Sequence, residues 1–189
     1  MSNIFFIADT HFGHENIIRY CDRPFARAQE MDAKIIDNWN AVVRPGDTVY
    51  HLGDFSWSHP EPYLKRLMGK VVLIKGNHDR SRWIEESPFE GCHHLLELKN
   101  KPVKGASIVL CHYSMRVWNH SHRNGSWMLY GHDHGRLAPI KNSVDVGVDP
   151  NGFRPLALEE VARLIKKTQA LVSYNEMPAE ELEAQGMRP

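Results

Sequence analysis

A surplus of charge is the first thing this chain lacks: 23 Lys and Arg stand against 23 Asp and Glu in 189 residues. That balance gives no global field for a polyanion or an anionic membrane surface, and it argues against a general duplex nuclease. Disulfide spacing is also missing. Cys21, Cys92 and Cys111 make no C-x-x-C pair, and an odd count speaks against a cross-linked framework. Cys111 closes an apolar run and reads as a small buried hydrophobe. No apolar stretch approaches the roughly 18 residues that cross a bilayer. The start, MSNIFFIADTH, lacks the basic segment of a secretory leader. No internal repeat or low-complexity tract interrupts the chain. The expectation from these absences is a cytoplasmic protein with no membrane partner, monomeric or a homodimer.

Nor is there room for several domains. At about 100 to 200 residues per domain, a chain of this length with 42% hydrophobic residues suits one domain spanning 1–189. Its core is expected over about residues 1–168, and the polar, acidic stretch 175–189 reads as a mobile tail. Helical spacing is clear in 28–43, where Met31, Ile35, Ile36, Trp39, Val42 and Val43 recur on one face before Pro45-Gly46. A shorter helical run holds Tyr63, Leu64, Leu67 and Met68, and a last helix is expected over 158–168, with acids first and bases last. Helices alternating with strands over the first 80 residues predict a largely parallel sheet. Strand-like segments at 92–98, 105–111, 126–130 and 143–148 predict antiparallel additions.

Histidine is what the chain has in excess, with 12 copies. Five short apolar runs each end in polar, ligand-type residues: IFFIADTHFGH from residue 4, TVYHLGD from 48, VVLIKGNHD from 71, SIVLCHY from 107 and WMLYGHDH from 127. They carry Asp9, His11, Asp54, Asn77, His112, His132 and His134. A lone Asp-x-His is a weak signal, since a strand-end Asp and a loop His are common. Five such strand ends in one chain point to a metal centre, because the carboxyl edge of an α/β sheet is where such sites are built. The donors mix imidazole nitrogen with carboxylate and amide oxygen and include no thiolate, which favours Mn, Fe, Co, Ni or Zn over Mg and Ca. Two metals about 3.5 to 4 Å apart need a shared anion, and Asp54, midway in the series, is the natural bridge. His132 and His134, two apart on an extended segment, point to the same side.

These blocks, D-x-H, G-D, G-N-H-D, a lone His and G-H-x-H, resemble in order the pattern of the calcineurin-like metallophosphoesterases over residues 9–134. The resemblance implies an α/β fold, a four-layer αββα sandwich of two packed mixed sheets flanked by helices. It also implies two divalent metal ions, manganese first among them, with one held by Asp9, His11, Asp54 and His134 and the other by Asp54, Asn77, His112 and His132. Hydrolysis of a phosphodiester or phosphomonoester by a metal-bridging hydroxide is the implied reaction, on a nucleotide, cyclic nucleotide or nucleic-acid end. His78 matches the non-ligand histidine that stabilises the transition state or protonates the leaving oxygen, and Asp79 is expected to orient it.

Other residues have plainer readings. His120 and His122 repeat the spacing of His132 and His134 but follow no apolar run, so they read as rim residues rather than ligands. With Arg116 and Arg123 in the segment 114–126, and Arg80 after the G-N-H-D block, they are the candidates for substrate contact. Trp57, Tyr113, Trp118 and Phe12 can stack a nucleobase or simply pack. Asp145 and Asp149 read as support for the site. The short gaps between blocks leave no cap, and the resulting open groove suits a diester better than a small monoester. Two other functions are weighed. A non-catalytic metal-binding scaffold for protein interaction would show lost ligands, and none is missing; a β-lactamase-type hydrolase would need H-x-H-x-D-H, which is absent.

Overall fold

The computed structural model describes residues 2–99, 107–123, 125–169 and 171. The tail expected at 175–189 lies outside them.

Strands β1 (Ile4–Ile7), β2 (Thr48–His51), β3 (Lys70–Ile74) and β4 (Gly91–His93) run parallel in one sheet, with the two-residue β9 (Leu156–Ala157) antiparallel on the outer side of β1. The crossovers carry α1 (Glu15–Tyr20) and α2 (Ala28–Val42), then α3 (Glu61–Leu64), then α4 (Ser81–Glu85). The apolar face of α2 supplies Met31, Ile35, Ile36 and Trp39 to one core, against Phe5, Ile7, Val49, Val71 and Leu73 of the sheet. Each such side chain contributes about 1.5–3 kcal/mol on burial. The indole of Trp39 also donates to the Met68 carbonyl at 2.8 Å. The helix ends at Val42, with Val43 capping it in extended conformation, and Pro45 keeps Arg44 after it out of the helical region.

The second sheet has the order β5 (Leu95–Lys99), β6 (Ser107–Cys111), β7 (Ser126–Tyr130), β8 (Ser143–Asp145). Its inner face, with Ile108, Leu110, Trp127, Leu129 and Val144, packs on Phe6, Leu52 and Ile74 of the first sheet, and α5 (Leu158–Thr168) adds Val161 and Ile165. The two packed mixed sheets with helices are therefore as expected. On the outer face, Val109, Met128 and Tyr130 are covered by Trp118, Met115 and Ile140 rather than by a helix.

Two strand expectations are corrected. The stretch 92–98 is not one strand: it divides at His94 into β4, which ends the first sheet, and β5, which begins the second. Of the later additions, β5 is antiparallel to β6, but β6, β7 and β8 run parallel. The long returns between them permit this, and β7 is buried at every position, as parallel strands covered on both faces are.

At the start of α5, Glu160 accepts the Ala157 N–H at 3.0 Å and pairs with both guanidinium nitrogens of Arg154 at 2.6 and 2.9 Å. The Arg154 hydrogen bonds, opposed by partial burial, hold the Glu160 carboxyl down at about 2. A depressed carboxyl stabilises the fold above its unfolded value of about 4.3 and loses that contribution as pH falls toward the folded value. Glu160→Gln is expected to cost about 0.5–1 kcal/mol at neutral pH, a modest figure because the pair is partly solvated. Urea midpoints measured at neutral pH and near about pH 3 should show the gap between variant and parent narrowing at the lower pH.

Candidate metal centre

The turns after β1, β2, β3, β6 and β7 meet at one edge of the paired sheets, cross-braced by main-chain hydrogen bonds. Asp9 N–H donates to Gly53 O, His11 N–H to Asp54 O and Gly131 N–H to His112 O, each at 3.0 Å. A parallel bridge between Ala8 and Gly147 links the β1 turn to the β8 turn. Two ligand groups result. Donor atoms of Asp9, His11 and His134 lie within 4.8 Å of one another, and so do those of Asp54, His112 and His132. Asp54 Oδ2 stands between the groups, 3.5 Å from His11 Nε2 and 3.5 Å from His112 Nε2. Asn77 Oδ1 lies 3.1 Å from His112 Nε2. All seven residues are thus together. The His78 N–H donates to Asp54 Oδ1 at 2.9 Å, and its exposed ring is 5.5 Å from that of His11.

The geometry comes with backbone strain. Nine non-glycine residues among those described have positive φ, and five are candidate ligands: Asp9 (58°), His11 (48°), Asp54 (55°), His132 (72°) and His134 (54°). A left-handed backbone disfavours a side-chain-bearing residue by about 1–2 kcal/mol, so such concentration marks a functional edge. Glycine spacing supports the same packing. A Cβ on Gly131 would stand 2.6 Å from Asp9 Oδ2 and 2.5 Å from the Ala8 Cβ, closer than real atoms approach.

Electrostatically the cluster wants positive charge. Burial pushes the Asp9 carboxyl well above its ordinary range, although His134 nearby and the His132 N–H partly offset this. Burial, helped by the Arg23 charge, holds His11 well below its usual value, and burial followed by His112 lowers His132. Both therefore offer neutral rings with free lone pairs. His11 Nε2 is buried without a hydrogen-bond partner. His112 Nδ1–H donates to Leu52 O at 2.7 Å, which turns its Nε2 inward. For His134, burial works downward, but hydrogen bonds to Asp149 and Cys21 and the nearby carboxylates push it up to about 10. A buried carboxylate, an orphaned nitrogen and imidazoles fixed in one tautomer fit divalent cations, and loading would release the second proton of His134.

One buried cation ties the parts together. The Arg23 guanidinium donates to Asp149 Oδ1 and Oδ2 at 2.8 and 2.9 Å, to Asp9 O at 2.7 Å and to Thr10 O at 3.2 Å. Asp149 Oδ2 in turn receives His134 Nδ1–H at 2.7 Å. Cys21, His134 and Asp149 also come within ligand distance of one another. Because Arg23 engages both Asp149 oxygens, that trio is a support for His134 and not a third cation site. Arg23→Ala should destabilise the fold by about 1–3 kcal/mol, because it leaves Asp149 paired with His134 alone and takes the donor from the buried Asp9 and Thr10 carbonyls. Chemical denaturation of the metal-free protein measures this directly, and a loss under 1 kcal/mol would be incompatible with the role.

Asp79 does something other than expected. Its carboxylate does not reach the His78 ring; it accepts N–H groups of Gly76, Asp54 and Phe55 at 2.8–2.9 Å, pinning the β2 turn to the β3 turn. Three main-chain donors, two from the β2 turn and one from the β3 turn, draw the carboxylate more strongly than a solvent-exposed ring. His51 is a buried core histidine, bonded to Thr10 Oγ1 at 2.9 Å. His120 and His122 face each other at 6.2 Å, the Arg80 guanidinium lies 4.5 Å over the Trp83 ring, and Arg116 and Arg123 are exposed. Asp149 and Asp145 were legible as support; Arg23, 126 residues from its partner, carried no sequence signal of its role. Trp57 is a candidate for stacking in the sequence, but its pairing with His14, ring to ring at 4.0 Å beside His78, carried no sequence signal.

The family model described as the calcineurin-like phosphoesterase superfamily domain matches residues 2–148. An uncharacterized protein of Methanocaldococcus jannaschii is 32% identical over 189 residues, which covers 94% of this chain and 99% of that protein. The gene 66 protein of Mycobacterium phage L5 is 36% identical over 86 residues, 42% of this chain and 41% of its own length. Among solved structures, a protein of unknown function from Aquifex aeolicus is similar with a TM-score of 0.69 and 27% identity, covering 87% of this chain and all (100%) of that one.

Proposed function

The chain belongs to the calcineurin-like phosphoesterase superfamily, a family of metal-dependent phosphoester hydrolases, and on that premise we propose that it is a binuclear phosphodiesterase. Its substrate is a diester of a nucleotide or nucleic-acid end, its ions are two divalent transition metals with manganese preferred, and it works as a single-domain monomer or homodimer in the cytoplasm. Among the described residues no helix is long and apolar enough to cross a membrane.

The observation that carries this reading is the position of Asp54 Oδ2, 3.5 Å from a histidine of each ligand group. One ion would be held by Asp9, His11, Asp54 and His134, and the other by Asp54, Asn77, His112 and His132. When bound, such ions lower the pKa of a water and offset charge on the phosphoryl oxygens. The residues of the chain do the rest. Asp54 shares its charge between both groups and, through Oδ1, fixes the main chain of His78. The exposed His78 ring is then free to give a ring N–H proton to the leaving oxygen. Asp79, by holding the Asp54 and Gly76 turns together, keeps the acid and the bridge in register. Asn77, His78, Trp57 and Tyr113 are exposed around the buried Asp9, His11, Asp54 and His112, which supports an open groove that admits a group on each side of the phosphorus.

Reconstitution with Mn or Zn, followed by assay on bis-p-nitrophenyl phosphate, p-nitrophenyl phosphate and cyclic nucleotides, tests the proposal. Turnover of the diester above the monoester is expected. Inactivity on every ester with both metals bound would favour the scaffold function instead.

A further inference from the structure

Aromatic rings exposed on this protein are not scattered. Among the described residues the exposed ones are Tyr20 (56%), Trp57 (46%) and Tyr113 (45%); Tyr113 touches His112 and His132 of the centre, Trp57 lies against His14 and His78, and Tyr20 is edge-on to His14, outside the candidate ligands. Trp57 lies face to face on His14, with rings 4.0 Å apart and 6° from parallel, and is 5.6 Å from His78. Tyr113 stands edge-on to His112 at 5.0 Å and to His132 at 4.8 Å. The two rings therefore flank opposite ends of the paired ligand groups, Trp57 on the His11 and His78 side and Tyr113 on the His112 and His132 side. The other candidates for stacking are removed from contention, since Phe12 and Trp118 are buried in the core.

A large apolar ring left in water beside a catalytic centre has lost the stabilisation that burial would give it. Exposure confined to this one edge calls for a substrate that covers it. Trp57 is also placed by its surroundings: its main-chain N–H donates to Phe12 O at 2.8 Å, and one face of its ring is already taken by His14. A ring so placed, with an open face, is a stacking platform. Flat, polarizable groups stack there, and in a phosphoester those groups are nucleobases.

We propose that the substrate is an unpaired dinucleotide unit, with the base on one side of the scissile phosphate stacking on Trp57 and the base on the other side on Tyr113. This rests on the phosphodiesterase reading and narrows it. Bases in a duplex already stack on their neighbours and present only edges, so the unit must be single-stranded. Cyclic nucleotides and mononucleotides carry one base and leave one platform bare. The absence of net charge agrees, because stacking rather than release of phosphate counterions then holds the strand. Hydrolysis adds one water across one P–O bond: the phosphorus takes the hydroxide oxygen, and the leaving nucleoside oxygen takes a proton. The products are a nucleoside hydroxyl and a nucleoside monophosphate.

The test compares, on the full chain loaded with Mn, dithymidylate and the same dimer with both bases replaced by hydrogen. The parent protein should prefer the base-bearing dimer in kcat/KM by about 100-fold, roughly tenfold per stacked base. Trp57→Ala and Tyr113→Ala should each reduce that preference about tenfold, and Trp57→Phe should restore most of it. A parent preference below about threefold, or one unchanged in both alanine variants, overturns the proposal. Loss in only one variant overturns the two-sided arrangement in favour of a single-base substrate. If neither dimer is hydrolysed while p-nitrophenyl phosphate is, the diesterase reading has failed. Quenching of tryptophan fluorescence by the uncleavable methylphosphonate dimer then decides the stacking separately: weaker binding to Tyr113→Ala than to the parent sustains it, and equal binding sinks it.

Discussion

Asp54→Asn is expected to lower kcat by at least about 10³-fold and to weaken ion binding by about 100-fold. The size follows from where the carboxylate stands. A single buried oxygen is shared between two histidine nitrogens at 3.5 Å, so the substitution takes one negative charge from both ligand groups at once. Two cations so close repel each other strongly, and an amide cannot offset that repulsion. The fold should survive. Asp79 anchors the main-chain N–H groups of residues 54 and 55, and the amide oxygen of the variant can still accept the His78 N–H. Metal content by elemental analysis, with far-ultraviolet dichroism as the control for folding, reads the outcome. Two tightly held ions in the folded variant would remove Asp54 from the bridging position.

His78→Ala should lower kcat by about 10²–10⁴-fold on an alkyl or nucleoside ester and far less on a p-nitrophenyl ester. A nucleoside alkoxide is strongly basic and cannot depart without a proton, whereas p-nitrophenolate can. The side chain is suited to the task because its main chain is fixed on Asp54 while its ring is exposed, 5.5 Å from His11 and 5.6 Å from Trp57. Metal content should stay at the parental level, since the ring belongs to neither ligand group. The decisive measurement is the ratio of the two losses. Equal losses on both esters would mean that His78 positions the phosphate and does not supply the proton.

The gathering of the candidate ligands was legible because its chemistry is local. Asp9, His11, Asp54, Asn77, His112, His132 and His134 follow five apolar strands, with two of the strands carrying a pair each, so the order of blocks alone places them together. What holds those ligands was not legible. Arg23 meets Asp149 across 126 residues, and in sequence it is one of many arginines. Asp79 sits next to His78, and adjacency suggested a partnership, whereas its carboxylate is engaged by the main-chain N–H groups of Asp54, Phe55 and Gly76. Sheet membership failed for a similar reason. Apolar alternation through 92–98 is equally consistent with one strand or with two that part at His94, because periodicity reports which side is buried and not which neighbour is bonded. The parallel course of β6, β7 and β8 depends on long returns that carry no periodic signal.

The left-handed turns at Asp9, His11, Asp54, His132 and His134 set selection for durability against selection for activity at the same five positions. Glycine would adopt each of these conformations without steric penalty and would remove the donor in the same step. A mutational route toward a hardier fold therefore runs through the loss of the centre, and hydrolysis is the constraint that keeps aspartate and histidine where the backbone alone would favour glycine.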